Sequence, residues 1–172
     1  IVVLAMITML IGNLFALRQQ NMKRFLAFSS VAQVGFILAG ISAYSSEGSA
    51  SVIYFIIIYI FSNLAAFGVV DVLAASTGSE NIDDYKGLYR KNPMLSWVLA
   101  IALFSLAGIP PTAGFFGKFF LLSAAATRGN YIFLAFAALN MMISLYYYLR
   151  VVRSLFFDKT DNAPEKISLH PA

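Results

Sequence analysis

The chain has 172 residues, of which 60% are hydrophobic and 12% are charged, and its mean hydropathy is +0.78. A soluble domain of this length cannot bury so much apolar surface around one core, so the composition excludes a small soluble enzyme and indicates a membrane protein. The net charge of +4 does not indicate a nucleic-acid binder, because the basic residues flank the apolar runs and form no stripe with interleaved aromatic residues.

Residue types that hold redox centres are scarce. The chain has no cysteine, which excludes a disulfide, a thiolate metal site and an iron–sulfur cluster, and its one histidine, His170, lies near the end of a polar tail. The sequence contains no nucleophile–base pair, metal-ligand cluster or glycine-rich nucleotide loop. We therefore expect no metal, no cofactor and no redox catalytic residue in this chain, and no chemistry beyond the movement of ions.

Five apolar runs predict five transmembrane spans, since each is long enough to cross about 30 Å of hydrocarbon at about 1.5 Å per residue. The spans cover roughly residues 1–17, 24–43, 51–75, 93–127 and 130–157, and a polar tail follows over residues 158–172. The first run begins without Met and without the features of a signal peptide. We therefore expect the chain to be an interior piece of a longer protein.

The basic residues predict the orientation of these spans. Because successive spans alternate in direction, the first and third connectors and the tail share one side of the membrane. Ten of the twelve lysines and arginines fall on that side: Arg18, Lys23, Arg24, Lys86, Arg90, Lys91, Arg150, Arg153, Lys159 and Lys166. The opposite side has Arg128, so the positive-inside rule makes the first side cytoplasmic. Near it, Asp71 is either a weak partner of Lys23 or Arg24, or simply an interfacial acid.

Polar side chains recur inside the second, third and fifth spans at spacings of three and four, which place each set on one helix face. They can line a water path to a buried ionisable group, or they can hydrogen-bond neighbouring helices together. For any single residue we favour the second role. The residues are Ser29 and Gln33; Tyr59, Ser62 and Asn63; and Asn140, Ser144 and Tyr148.

The fourth span contains helix breakers at membrane depth. Its length would extend a straight helix over about 50 Å, which exceeds the hydrocarbon thickness. Pro110 and Pro111 remove two consecutive backbone donors, while Gly108, Gly114 and Gly117 allow irregular backbone and close approach. We predict a discontinuous helix, broken near Pro110. Such breaks survive only where protein or a water-filled cavity satisfies the backbone, and in transporters they commonly mark ion sites.

Lys118 is the one basic residue that no connector accounts for. It lies ten positions before Arg128, about 15 Å along a helix, which places it near the middle of the membrane. A lysine there costs roughly 2.5 to 3.5 kcal/mol on insertion scales and marks a functional site by default. Because desolvation penalises a buried ammonium, such a lysine can take up and release a proton. The alternatives are a snorkelling side chain or a fixed ion pair with an acid on another helix.

Four stretches of the chain carry a resemblance to a known family. They are GNLFALRQQNMKRFLAFSSVAQVGF over residues 12–36, DDYKGLYRKNP over 83–93, SLAGIPPTAGFFGKF over 105–119 and YYYLRVV over 146–152. In this order they resemble the C-terminal part of the antiporter-like subunit N family of proton-pumping NADH:quinone oxidoreductase, respiratory complex I. The resemblance covers nearly the whole chain.

This resemblance implies a fold and a site. The family core consists of two inverted five-helix repeats, each with one broken helix, and this chain resembles the second repeat. Lys118 matches the lysine on that repeat's broken helix, where the family is thought to pass protons near the outlet. The position of Gln33 is often histidine in related subunits. Because glutamine does not titrate, proton passage there would use water hydrogen-bonded to its amide.

The resemblance also implies a function and partners. The chain would translocate protons as one subunit of an NADH:quinone oxidoreductase, a translocase whose NADH, FMN, iron–sulfur clusters and quinone lie on other subunits. Its partners would be other membrane-arm subunits, the lipid bilayer and protons, with no nucleic acid. We expect a multi-pass protein of the bacterial cell membrane, with the mitochondrial inner membrane as the alternative.

Two other functions stay open. The first is a subunit of a multisubunit sodium/proton antiporter or a membrane-bound hydrogenase, whose broken helices are similar; DDYKGLYRKNP and YYYLRVV favour subunit N. The second is a purely structural scaffold of a membrane arm, with Lys118 in a fixed ion pair.

Overall fold

The computed structural model describes residues 1–157; the predicted polar tail, with His170, Lys159 and Lys166, lies outside the described residues. Within residues 1–157 the structure is helical, with one short 3₁₀ turn at Ile82–Tyr85. The helices are α1 (Val2–Arg18), α2 (Met22–Ile41), α3 (Ser46–Thr77), α4 (Leu88–Lys91), α5 (Pro93–Ala107), α6 (Ala113–Ala126) and α7 (Tyr131–Phe156). The division into a bundle over 1–157 and a tail over 158–172 stays a prediction.

The lengths of the helices are those expected for an integral membrane bundle. Three helices, α2, α3 and α7, have 20, 32 and 26 residues and are long and apolar enough to cross a membrane. The apolar helix α1 has 17 residues. The helices α5 and α6 have 15 and 14 residues, about 22 Å each, so together they make one crossing. The predicted fourth span is thus two half-helices, which confirms the break near Pro110.

Two helices begin earlier than predicted because polar residues cap them. The Asn21 side chain accepts a hydrogen bond from Arg24 N, so α2 begins at Met22 and not near residue 24. The Ser45 hydroxyl accepts one from Gly48 N, so α3 begins at Ser46 and not near residue 51. Caps satisfy the free N–H groups of a first turn. A reading based on hydropathy assigns such polar residues to the connectors.

The connectors gather at two opposite ends of the bundle, as alternating spans require. At one end, which the positive-inside rule predicts to be cytoplasmic and which is called the cytoplasmic end below, the α1–α2 connector pairs with the chain after α3. Met22 N donates to Glu80 O at 2.7 Å, and Ile82 N donates to Gln20 O at 2.8 Å. At the other end Arg128 Nε donates to Ala43 O at 2.7 Å. Each end is therefore tied together by hydrogen bonds to main-chain carbonyls.

A small ion-pair network reinforces the cytoplasmic end. Lys23 Nζ lies 3.0 Å from Asp71 and 2.9 Å from Glu80, so Asp71 pairs with Lys23. The other Glu80 oxygen accepts from Asn21 Nδ2 at 2.9 Å. This hydrogen bond, followed by the contact with Lys23, lowers the pKa of Glu80 below its usual value.

Buried side chains form two layers, one at each side of the helix break. In the layer nearer the cytoplasmic end, the Phe25 ring packs nearly perpendicular to the rings of Tyr147 and Tyr148. The layer nearer the outer side includes Phe36 and Leu121.

A buried hydrogen-bond network joins α1 to α7. Asn13 Nδ2 donates to Asn140 Oδ1 and to Asn140 O, both at 3.0 Å, and Tyr147 OH donates to Asn13 Oδ1 at 2.9 Å. In a membrane such bonds between helices contribute about 0.6 kcal/mol on average. Asn140 therefore takes part in helix packing, together with Asn13 and Tyr147, neither of which the sequence pattern had indicated.

The lowered pKa of Glu80 predicts an acid-sensitive cytoplasmic end. The ionised carboxylate stabilises the fold above the pKa of a free glutamate, about 4.3, and this stabilisation is lost as the pH falls through the lower folded-state value. After correction for intrinsic exchange, hydrogen-exchange protection of the Met22 and Ile82 amides should fall over that acidic range. In Glu80→Gln it should be reduced already at neutral pH and should lose this pH dependence. Glu47→Gln, at the opposite end, is the control; equal behaviour of the two variants contradicts the prediction.

Candidate functional site

The helix break leaves two main-chain carbonyls without their helical donors. The helix α5 ends at Ala107, and Gly108 follows with φ of +80°, a left-handed conformation that glycine adopts readily. Gly108 N and Ile109 N both donate to Phe104 O. In a continuous helix the carbonyls of residues 106 and 107 would accept from the N–H groups of residues 110 and 111. Both positions are proline, which has no N–H.

Lys118 supplies the missing donors. From the second turn of α6 its Nζ donates to Leu106 O at 2.7 Å and to Ala107 O at 3.2 Å. The side chain is 0% exposed, and Nζ lies 5.0 Å from the centroid of the Phe36 ring. The carbonyl end of a helix carries partial negative charge, which favours a cation there. Lys118 of the second half-helix, α6, is thus hydrogen-bonded to the carboxyl end of the first half-helix, α5.

This lysine has no carboxylate partner in the described part of the chain. Among residues 1–157, no carboxylate lies within ion-pair distance of Lys118 Nζ; the ion pairs there are those of Lys23 with Asp71 and Glu80 and of Lys86 with Asp83. A fixed ion pair with Lys118 is therefore not formed within the described part of the chain.

Gln33 contacts the same carbonyl as Lys118. Its Nε2 donates to Leu106 O at 3.2 Å, so α2, α5 and α6 meet at this one oxygen. Gln33 is fully buried, and its Oε1 has no hydrogen-bond partner in the structure. A buried amide oxygen without a donor is costly unless a water or another group supplies one. Gln33 therefore has one acceptor available next to the lysine.

A small cavity is lined in part by Gln33. Its volume open to a water-sized sphere is about 10 Å³, which is about what one water requires. The Ser62 hydroxyl on its wall donates to Ser105 Oγ at 2.8 Å. The lining residues are Gln33, Phe55, Ile58, Tyr59, Ser62, Ser105, Leu106 and Gly114. The cavity therefore combines apolar walls with a few polar atoms at the depth of the break.

The predicted polar residues divide between this site and other places. Gln33, Tyr59 and Ser62 line the cavity, and the Tyr148 hydroxyl is buried near Gln33, outside the set of residues that line the cavity. Asn63 instead donates to Ser30 Oγ at 3.4 Å, across the α2–α3 contact. Ser144 donates to Met141 O of its own helix at 2.8 Å.

Gly114 and Gly117 do not form part of the break. Both lie inside α6, where the backbone is regular, so the prediction of irregular backbone at these two positions was wrong. What they permit is close approach: a Cβ on Gly114 would lie 1.8 Å from Ser105 O, and one on Gly117 would lie 2.7 Å from the Phe55 ring. The irregular residues of the break lie between Ala107 and Ala113 and include Pro110 and Pro111.

Some members of the site were not nominated by the sequence. These are the Leu106 and Ala107 carbonyls, Ser105 of the cavity wall and Thr112, whose buried Oγ1 has no partner in the structure. One signal was available: counting four residues back from each proline identifies the two carbonyls. That Lys118 reaches them depends on how the half-helices fold against each other.

Comparison with known proteins assigns the family. Residues 1–144 match the family described as NADH:quinone oxidoreductase/Mrp antiporter, TM. The chain belongs to this family. It is 52% identical, over 91% of its length, to NADH-quinone oxidoreductase subunit N of Azobacteroides pseudotrichonymphae, and covers 33% of that protein. The chain thus spans about a third of the length of the curated relatives it matches.

Solved structures of the family share this fold. The chain superposes on a subunit chain of respiratory complex I from Thermus thermophilus with a TM-score of 0.76 and 29% identity, covering 96% of this chain and 36% of the other. A chain of the Mrp complex from Dietzia gives a TM-score of 0.86 and 28% identity, covering 92% and 30%. The chain is therefore an antiporter-like, multi-pass membrane protein, and its bacterial relatives place it in the bacterial cell membrane.

Close packing at Gly114 predicts a sharp effect of one methyl group. In Gly114→Ala the new Cβ overlaps Ser105 O, so α5 and α6 must separate. Overpacking typically costs about 1 to 3 kcal/mol. The variant should unfold at a lower temperature in detergent than the parent protein.

The matched control is Gly68→Ala in α3, where a Cβ meets nothing within 4 Å. This substitution should leave thermal stability unchanged or raise it slightly, since alanine favours a helix over glycine by up to about 1 kcal/mol. Equal melting temperatures for the two variants contradict the role of Gly114.

Proposed function

We propose that this chain forms part of a proton-translocating membrane subunit of an NADH:quinone oxidoreductase, and that Lys118 relays the proton at the helix break. The single observation that carries this proposal is the fully buried Lys118 Nζ, bonded to the Leu106 and Ala107 carbonyls without a carboxylate partner among residues 1–157.

The contacts of Lys118 suit both of its protonation states. An ammonium and a neutral amine both carry N–H donors, and both can bond to carbonyl oxygens. The amine can therefore gain or lose a proton while it keeps its place between the half-helices. In a fixed ion pair the carboxylate would instead hold the lysine in its charged form. The observed carbonyl contacts fit a relay better than a permanent salt bridge.

The cavity beside Gln33 supports a route by which water can reach the site. A water there can donate to the free Gln33 Oε1 and exchange with the hydroxyls of Ser62 and Ser105. Gln33 itself does not titrate, so its part is to hold water. In this proposal Gln33, Tyr59, Ser62 and Tyr148 line the path, while Asn63, Asn140 and Ser144 hold helices together.

The energy source and partners follow from the relatives' names. Proteins named NADH-quinone oxidoreductase subunit N belong to a complex that oxidises NADH and reduces quinone. By this likeness to subunit N, we place NADH, FMN, the iron–sulfur clusters and quinone on other subunits, and the neighbours of this chain among membrane-arm subunits. Within residues 1–157, no group of three or more His, Cys, Asp or Glu side chains is arranged to hold a metal ion.

A sodium/proton antiporter subunit is the second candidate. A chain of the Mrp complex shares this fold with a TM-score of 0.86, but a chain of respiratory complex I reaches 0.87, so the fold does not separate the two candidates. The 52% identity with a subunit N favours the oxidoreductase. Co-purification of the full-length protein with quinone-reductase subunits separates the two.

Lys118→Met tests the relay in the assembled complex. The variant removes the proton carrier, so proton uptake into sealed vesicles should fall by about tenfold or more, as expected for loss of a group that transfers protons. Proton uptake and quinone reductase turnover are measured together, after assembly has been verified.

Two further variants make the result specific. Lys118→Arg keeps the positive charge but does not release a proton, so it should also lose pumping. Lys91→Met, in the cytoplasmic connector, removes a lysine away from the break and should pump normally. If protons pumped per electron are unchanged in Lys118→Met, the lysine is structural and the scaffold hypothesis replaces the relay.

Gln33→Leu tests the water path separately. It removes the free acceptor at the cavity but leaves Leu106 O bonded to Lys118. Pumping should fall in part, and less than in Lys118→Met, because water near the amine is less well held. The control is Asn63→Leu, which removes a polar group of the α2–α3 contact and should retain pumping. Equal losses in the two variants would assign Gln33 to helix packing.

A further inference from the structure

A polar pocket lies at the cytoplasmic end of α1 and α2, remote from the helix break. Its volume is about 440 Å³, and its lining residues are Arg18, Gln19, Gln20, Asn21, Arg24 and Asn81. Backbone pairing of Gln20 with Ile82 and of Met22 with Glu80 holds its two walls together. The pocket is therefore part of the folded structure and not a gap between independent loops.

The two arginines of the pocket are not paired with acids. Within residues 1–157, neither Arg18 nor Arg24 forms an ion pair. The nearby acid, Glu80, is bonded to Lys23 and Asn21 instead. The pocket thus presents two exposed guanidinium groups, which favour an anion with several oxygen acceptors, such as a phosphate.

Below the pocket, α1 presents an apolar stripe that ends at Arg18. The exposed fractions of Ile11, Leu14 and Phe15 are 45%, 48% and 51%. These residues and Arg18 share one helix face, by spacings of three, four and seven. An acyl chain can lie along this stripe while its headgroup meets the arginine.

On α2, an equivalent face ends at Arg24. It carries Ala27, Phe28 and Val31 at the same helical spacings. The two stripes meet where the Phe15 and Phe28 rings stack, with their centroids 5.3 Å apart. Two apolar faces, joined by an aromatic pair, thus each lead to one of the two arginines.

We propose that this furrow binds an anionic phospholipid, with its phosphate between Arg18 and Arg24 and an acyl chain over Phe15 and Phe28. The side of the membrane agrees, because the positive-inside rule assigns these arginines to the cytoplasmic leaflet, where basic pockets between helices bind anionic headgroups. A free phosphate shares the headgroup's charge but has nothing to place on the apolar stripes. This site is independent of Lys118 and of proton transfer.

The test uses the assembled complex in phosphatidylcholine nanodiscs that contain phosphatidylglycerol with a photoreactive acyl chain. After illumination, mass spectrometry measures the cross-linked lipid on the peptide that covers residues 11–31. The double variant Arg18→Gln, Arg24→Gln should lose roughly an order of magnitude of this product. The double variant Arg18→Lys, Arg24→Lys, which keeps the charge, should lose less.

The control is the double variant Arg90→Gln, Arg153→Gln, which removes the same charge from the same side of the membrane and should cross-link normally. Unlabelled phosphatidylglycerol should compete with the probe, whereas extra phosphatidylcholine and inorganic phosphate should not. Undiminished cross-linking in the first variant, an equal loss in the control, or competition by phosphatidylcholine each overturns the proposal. Competition by inorganic phosphate as strong as that of the lipid would replace it with a free-phosphate site.

Discussion

The structure depends on two carbonyl groups that lack donors in the middle of the membrane. Because Pro110 and Pro111 have no N–H, the Leu106 and Ala107 carbonyls lose their helical partners. Lipid cannot satisfy them, and each unsatisfied group would cost several kcal/mol. Lys118 Nζ bonds to both, and Gln33 Nε2 bonds to the first. The defect of one helix is thereby corrected by side chains from two others.

The replacement of main-chain donors by side-chain donors determines how the helices pack around the break. The α6 helix must approach α5 closely enough for its lysine to reach back, and Gly114 permits that approach against Ser105 O. The Lys118 side chain then lies beneath the Phe36 ring, at the boundary between the two buried apolar layers. The ammonium is surrounded by carbonyl oxygens and an aromatic face, which attract a cation without fixing its proton.

The same geometry separates two kinds of polar residue in the membrane. Asn13, Asn140 and Tyr147 satisfy one another and join α1 to α7. By contrast Gln33, whose amide shares the Leu106 carbonyl with Lys118, has an Oε1 without a hydrogen-bond partner within the described structure. Fully satisfied networks stabilise a fold, whereas a free buried acceptor indicates a place for water or for an exchanging proton. The position of this acceptor on a residue that contacts the same carbonyl as the buried lysine links the packing of the bundle to the proposed transport.

The sequence by itself determined the membrane class, the break near Pro110 and the burial of Lys118, because hydropathy, proline chemistry and charge placement depend on local composition. The same local pattern misassigned Gly114 and Gly117, since a glycine that permits irregular backbone and one that permits close approach look alike in a sequence. Only the tertiary structure decided which polar residues meet. Gln33 shares a carbonyl with Lys118, whereas Asn63 bonds to Ser30. In the sequence the two look alike, because each belongs to a set of polar residues spaced three or four positions apart within a span. That choice depends on the rotation and approach of whole helices, which the packing of all of them sets together.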